Sequence, residues 1–595
     1  MFIRIFQDKS LLSAQLYRKL SCGRVLPQFT KTLILSASLG WYVPTIQAAD
    51  FSCVWKGKIL HAGKWSDQSW GSCNNTFPNN TGSITYDATL RTGFSGVDLD
   101  QNIEIQSFGF NGGTFKGEHE LTVNEVFNWS RGDLMGTGII EVLGELELSN
   151  GRKVMGKEQT LINSQTANWS GGTIDLFGTS ELVNSRGATF NVTSDRLRMF
   201  GSSTSQFINE GDGSFNEDEN GIIVIKLGDP TQNVQFDGPR FNNNGMVIVE
   251  QGIARLGGGG TSAGAFYVAE GQLLNFSGGT HVLLPGSSVS GSNVEFSHKD
   301  GGGGTTIEGV YDVDNTVISG NAVFFNSAIS YTGTLTQTLG FLDGIGNIAV
   351  IGKTTLSGGW IQSSKPSIEP QDQAILAAFG ELDINGSFIQ IVGNRRVMNF
   401  GVANWTSGGI RLHSTLTRFE NKEGATFNIK ENATFMVGAG LDIGADPLTP
   451  LEKGLFVNRG DVVVDLSDER QPVQINTRFA NLGKIHLQGN KLTFGDDLIQ
   501  FNTGSLLFDI GGASSNELDV VNIAGNAVLD GFIDITLTNS FVPRSGATFD
   551  ILVASAITSF QTVEGFSLGG QDGDKFDFDI VPLDSGNQVL RLTYR

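Results

Sequence analysis

The chain has 595 residues, 79 of them Gly and 13 Pro, with 40 basic against 61 acidic side chains and a net charge of −21. Gly at roughly twice its usual share, together with a charged fraction of 17%, suits many tight turns between short strands. The acidity argues against nucleic acid and against an anionic membrane as partners, since each needs a basic patch to meet it.

Residues 1–49 carry Arg4, Lys9, Arg18, Lys19, Arg24 and Lys31 against Asp8, then an apolar stretch over 32–43 and small residues before Asp50. This order predicts a secretory signal cleaved after Ala48 or Ala49, with an apolar core too short to span a bilayer. Its removal leaves 34 basic and 60 acidic side chains, a net charge of −26. Cys22 leaves with the signal, so Cys53 and Cys73 are the cysteines of the exported chain and are expected to pair in an oxidising compartment. Closing that loop is worth about 3 kcal/mol in the chain-entropy model.

Residues 50–120 are Trp-rich: Cys53-Val54-Trp55, Gly63-Lys64-Trp65-Ser66-Asp67 and Trp70-Gly71 precede Pro78 and a set of alternating strands. Three Trp so close together suit either a sugar platform or an aromatic plug for the open end of a β-stack. We take the plug as the expectation.

Residues 121–364 and 365–500 look like two homologous halves. Asn168-Trp169-Ser170-Gly171-Gly172 returns as Asn404-Trp405-Thr406-Ser407-Gly408, and Gly187-Ala188-Thr189-Phe190-Asn191 returns as Gly424-Ala425-Thr426-Phe427-Asn428. The Trp residues are 236 positions apart. A smaller unit, a large apolar residue, a spacer, Asn and then Gly, recurs at Leu182/Asn184, Phe207/Asn209, Phe241/Asn243, Phe419/Asn421, Phe456/Asn458 and Phe479/Asn481. Repeats of strand and turn without helical periodicity predict a solenoid. Trp129 and Trp169, 40 residues apart, predict coils of roughly 20 residues. Asn at one corner of successive coils would stack its amides up the ladder. Gly-rich stretches at 257–264 and 299–304 read as connectors, and 373–379 is a short apolar insert. From 501 to 595 the strands lengthen into a C-terminal β domain.

The order Trp55, Gly63-Lys64-Trp65-Ser66-Asp67, Trp70, Pro78 and Phe110-Asn111-Gly112-Gly113-Thr114-Phe115 resembles the start of large secreted bacterial β-helix proteins. Those are related to autotransporter passengers, filamentous adhesins and the exported PEP-CTERM group, and the Asn-Trp and Gly-Ala-Thr-Phe-Asn units look like their rungs. The resemblance implies an all-β, right-handed parallel β-helix of two halves with a C-terminal cap. It also implies adhesion or matrix contact at the cell surface, with glycans or a host surface as partners and a separate outer-membrane transporter. With no run of amphipathic barrel strands, hydrophobic tail or sorting motif following the C-terminal strands, the expectation is that this stretch supplies no anchor.

Candidate chemistry is sparse. His61, His119, His281, His298, His413 and His486 fall at no metal-ligand spacing, and the nearest pair, His281 and His298, reads as strand-surface residues. Asp496-Asp497 resembles a polygalacturonase carboxylate pair without its companions, and reads as a solvated turn. Asp212 with Glu217, Asp218 and Glu219, and Asp572 with Asp574, Asp577 and Asp579, have the oxygens for calcium but not the spacing. Every Trp after residue 49 is assigned to the cap or a rung, and no catalytic set or cofactor is expected. Two further classes stay open beside the adhesin: a polysaccharide-active enzyme on the same scaffold, and a carbohydrate-binding protein using the Trp cap.

Overall fold

Four-residue runs such as Thr166–Trp169, Thr189–Val192 and Glu145–Leu148 send alternate side chains inward, and each buries only one apolar edge. Such a strand is stable only when another copy stacks on it, and this chain supplies copy after copy. The computed structural model describes residues 48–57, 62–91, 96–212, 219–297, 302–365, 372–386, 388–430, 434–435, 454–466, 473–488, 491–514, 517–560 and 565–595. The expected signal up to residue 47, His61, His298, Glu217 and Asp218 lie outside them.

The described residues form an all-β parallel solenoid of about 17 turns. Most coils contribute one strand to each of three ladders. Ladder a runs through Lys153–Met155, Thr173–Leu176 and Leu197–Gly201; ladder b through Thr160–Asn163, Glu181–Asn184, Gln206–Asn209 and Arg240–Asn243, and on through Gly260–Ser262, Gly279–Leu283, Gly303–Ile307 and Ala322–Phe325 to Phe341–Asp343, Trp360–Ser363, Phe388–Gly393 and Gly409–Leu412; ladder c through Thr166–Trp169, Thr189–Val192 and Ile222–Lys226. Trp129 pairs with Leu148 and Leu148 with Trp169, so two coils separate the two Trp residues.

The interior is a column of rings and branched apolar side chains. Phe207, Phe236 and Phe241 contact one another at centroid distances of 5.0 to 5.9 Å, and Phe419, Phe456 and Phe479 stack at 5.2 and 4.9 Å. In each Phe-x-Asn unit the Phe fills the core and the Asn closes the corner. Gly260, at φ +141°, is required where a Cβ would collide with the Phe241 carbonyl.

The two copies of the long repeat do not lie on the same face. Asn184, Asn209 and Asn243 belong to ladder b, and Trp169 to ladder c. Ladder c continues through Met246–Gln251, then through residues paired in turn up to Arg395–Asn399 and Arg418–Asn421. Asn421 therefore sits on ladder c. Trp405 pairs with Ile384 on ladder a, which descends from Lys153–Met155. The second copy is displaced by one face around the solenoid axis.

Parallel pairing runs unbroken past residue 365, with Ile348 opposite Leu376, Thr355 opposite Asp383 and Ile361 opposite Ile391. The apolar insert forms the strand Ala374–Ala378. Parallel pairing also continues past residue 501 as far as Phe566–Gly569. Antiparallel pairing occurs at the two ends. Val54 and Trp55 pair with Gly71 and Trp70, and Gln588–Tyr594 lies between Thr548–Ala554 and Phe576–Pro582.

Candidate functional site

Cys53 and Cys73 are joined as a disulfide beneath the Trp cluster. Trp55, Trp65 and Trp70 are at most 7% exposed and pack edge to face, with centroids 5.0 Å apart for Trp55 and Trp70 and 4.7 Å for Trp65 and Trp70. The Trp65 indole donates to the Pro78 carbonyl and the Trp70 indole to the Trp65 carbonyl, each at 2.8 Å. Rings so enclosed offer no platform to a sugar.

His281 departs from expectation: it points into the solenoid. It is buried against Phe276 at 5.1 Å with Nε2 3.2 Å from the Leu256 carbonyl, and burial pulls its pKa down to about 4. The ring is neutral at pH 7 and donates from Nε2. In Thr280-His281-Val282-Leu283 it is Val282 that faces out, because Leu283 and the ring share the inner face. His119 is exposed, His486 is half-buried, and His413 is on the outer face of ladder b beside Trp360.

The carboxylates are used in turns and ion pairs. The Asp497 amide donates to Asp496 Oδ1 at 2.8 Å, and Asp497 Oδ1 accepts from the Asn526 amide at 2.7 Å. Asp572 accepts from the Leu537 amide and pairs with Lys575, while Asp577 pairs with Arg595. The Asp212 amide donates to Asn220 at 3.3 Å. Among the described residues no three His, Cys, Asp or Glu side chains converge on a metal position.

Sequence reasoning overlooked a pair of outward carboxylates. Glu145 and Glu147, two apart on one strand, both accept from Asn168 Nδ2, at 2.9 and 2.5 Å, and Asn191 Nδ2 donates to Asn168 Oδ1 at 3.0 Å. Burial, reinforced by Glu145, raises the Glu147 carboxyl above its usual range. The second copy repeats this with Glu381, Asp383, Asn404 and Asn428, but there Lys353 bridges both acids, at 3.2 and 2.5 Å. The signal was present in Glu145-Leu146-Glu147-Leu148 and Glu381-Leu382-Asp383-Ile384, which share the 236-residue offset of the Trp residues. Buried Lys153, its pKa pulled to about 8 by desolvation, is held by the Gly151 and Gly171 carbonyls at 3.0 and 2.9 Å.

Trp360 lies in a rung strand and faces outward on ladder b, partly exposed, while the other Trp side chains of the described residues are buried. No helix of the described residues is long and apolar enough to cross a membrane.

No family model matches the chain, and no curated protein matches it. Among solved structures it is similar to the Haemophilus influenzae Hap adhesin, at 12% identity and a TM-score of 0.29, over 86% of this chain and 64% of that one. The match spans less than two thirds of that chain, and at this score it carries no inference; the fold assignment rests on the ladders themselves.

Proposed function

We propose that the chain is a secreted or cell-surface structural protein whose solenoid presents rigid outer faces for adhesion or matrix contact. The observation that carries this is the use made of the repeated polar residues. The Asn side chains are consumed in bonds between coils, which stiffen the stack, and the outward columns then run along it as a long scaffold for many weak contacts. Export rests on the basic and apolar N-terminal 49 residues. The test is binding of purified residues 50–595 to immobilised matrix polymers and cell surfaces, with N-terminal sequencing of exported protein, expected to begin at Ala49 or Asp50. Absence of any surface binding, or an intact Met1 on exported material, would remove the proposal.

One observation favours a second reading. Glu147, held protonated more readily than an ordinary carboxyl beside Glu145, has the makings of an acid and base pair on an open face. Release of reducing ends from pectin or alginate by the parent, lost in Glu147→Gln, would establish an enzyme instead.

A further inference from the structure

We infer that the outer face of ladder b between Phe341 and His413 is a binding site for a neutral polysaccharide chain. The strands Phe341–Asp343, Trp360–Ser363, Phe388–Gly393 and Gly409–Leu412 stack there in register, with Leu342, Ile361, Ile391 and Leu412 buried inside. Their outward columns read Phe341, Trp360, Gln390, Arg411 and, two residues on, Gln362, Val392, His413, with Asp343 buried at the end of the second column. Aromatic rings and hydrogen-bonding groups therefore interleave on one flat surface. Elsewhere on this ladder the outward positions include Arg240, Asn242, Val282 and Phe324 before the strip, and Gln474, Lys491 and Thr493 after it.

The rings form a slipped row. Phe341 and Trp360 lie 5.9 Å apart at 27°, and Trp360 and His413 lie 5.9 Å apart at 15°. Near-parallel rings at that separation are offset, which leaves part of each face uncovered. Phe341 and Phe388 are each 39% exposed, and the Arg411 guanidinium caps Phe388 at 4.2 Å. His413 Nε2 is fixed 3.1 Å from Gln390 Oε1, and Gln362 Nε2 donates to Asp343 Oδ2 at 2.6 Å. The row is thus held in place by its own polar neighbours. Arg411 Nε has no hydrogen-bond partner among the described residues.

This chemistry fits a pyranose chain, whose rings present an apolar C–H face and a rim of hydroxyls. Strands in a sheet are about 4.8 Å apart, comparable to one sugar unit along an extended chain, so the strip would hold about three units. The exported chain's net charge of −26 repels a polyanion, so the polysaccharide is a neutral one. A second copy is disfavoured by area: three strand spacings by about three residues of strand give roughly 150 Å², against about 800 Å² per partner in a standard interface.

The inference rests on the solenoid being a binding surface, and the two can fail separately. Trp360 is the solvent-reaching Trp of the described residues, so its fluorescence reports the strip directly. Purified residues 50–595 would be titrated with cellohexaose and chitohexaose and screened on an array of neutral glycans. We expect a saturable fluorescence change with at least one of these glycans. Binding should fall tenfold or more in Trp360→Ala and several-fold in Gln390→Ala, be largely kept in Trp360→Phe, and be unchanged in Phe400→Ala on a different corner. Absence of binding to every neutral glycan, equal binding by Trp360→Ala, or concentration-dependent self-association relieved by Trp360→Ala would each overturn the inference. Surface binding that survives in Trp360→Ala would sink the strip alone and leave the broader proposal standing.

Discussion

Asn421 donates its side-chain amide to the side-chain carbonyl of Asn458 at 2.9 Å, and Asn458 donates in turn to Asn481 at the same distance. The row begins at Asn399 and ends at Gln500, while a sister row on ladder b links Asn163, Asn184, Asn209 and Asn243. Each amide also reaches a backbone carbonyl at the corner, as Asn458 does to Lys484 at 3.0 Å. A buried polar group is costly unless paired, so each member depends on its neighbours.

Replacing Asn458 by Ala should therefore cost about 1 to 3 kcal/mol for each polar group orphaned. Asn458→Asp should be no better, because a carboxylate can accept from Asn421 but cannot donate to Asn481. In a stack whose coils touch only their neighbours, the loosening should stay local. Hydrogen exchange should quicken in the strands Arg418–Asn421 and Arg478–Asn481 and remain unchanged around Asn184. Equal quickening in the ladder b row would contradict a one-dimensional stack.

The repeated Trp residues give a sharper comparison. Trp169 donates to the Gly172 carbonyl at 3.3 Å and Trp405 to Gly408 at 3.2 Å, whereas Trp129 Nε1 is buried with no acceptor among the described residues. Conversion to Phe removes a made bond at Trp169 and an unmet donor at Trp129. Truncation to Ala should cost about 3 to 5 kcal/mol at either site, but Trp129→Phe should be the milder of the two Phe variants in urea melts. The reverse order would show that ring size, and not the indole donor, decides these positions.

The strand-and-turn grammar was legible because it is local: period-two alternation, Gly at corners and Asn two or three residues before that Gly each act within one coil. What could not be read was which face a coil presents. The 236-residue repeat preserves the surroundings of Trp169 and Trp405, yet one lies on ladder c and the other on ladder a. The chain between the copies sets their phase, and its long strands, such as Ala265–Phe276, turn a corner without a break that sequence would register. His281 was misassigned, and the outward turn of Trp360 went unread, for a related reason. In a strand, inside and outside are decided by register, and a single His or Trp is compatible with either.

Arg395 is the largest charged side chain in the interior. Its Nε donates to the Gln362 carbonyl at 2.9 Å, and its two terminal nitrogens to the Gly346 and Gly344 carbonyls at 3.0 Å each. Burial draws its pKa down to about 10, partly offset by Asp343, so it stays charged at pH 7. Arg395→Met should cost about 3 to 5 kcal/mol by leaving several carbonyls unpaired. Arg395→Lys should recover little of this, since one ammonium cannot replace a planar fork. A chemical-denaturation midpoint for the Lys variant near that of the parent would show that charge alone suffices.

The paired acids predict opposite pH behaviour in the two copies. Burial and then the neighbouring Glu145 raise Glu147, although Asn168 works against the rise. A raised carboxyl stabilises the fold in its protonated form: the contribution is complete below the ordinary value of 4.5 and is lost as pH climbs through the raised one. At Asp383 burial works upward but the bonds from Lys353 and Asn404 outweigh it, so the carboxyl is held below 3.8. Its contribution is present above 3.8 and is lost as pH falls through the lowered value. Glu147→Gln should therefore stabilise the chain at pH 7, by less than about 1 kcal/mol after solvent screening, with the gain disappearing toward pH 4. Asp383→Asn should destabilise it at pH 7 and converge with the parent in acid. Urea midpoints taken from pH 3 to pH 8 would read both. A Glu147→Gln variant that is less stable than the parent at pH 7 would mean that the Asn168 bond, and not repulsion from Glu145, governs the first copy.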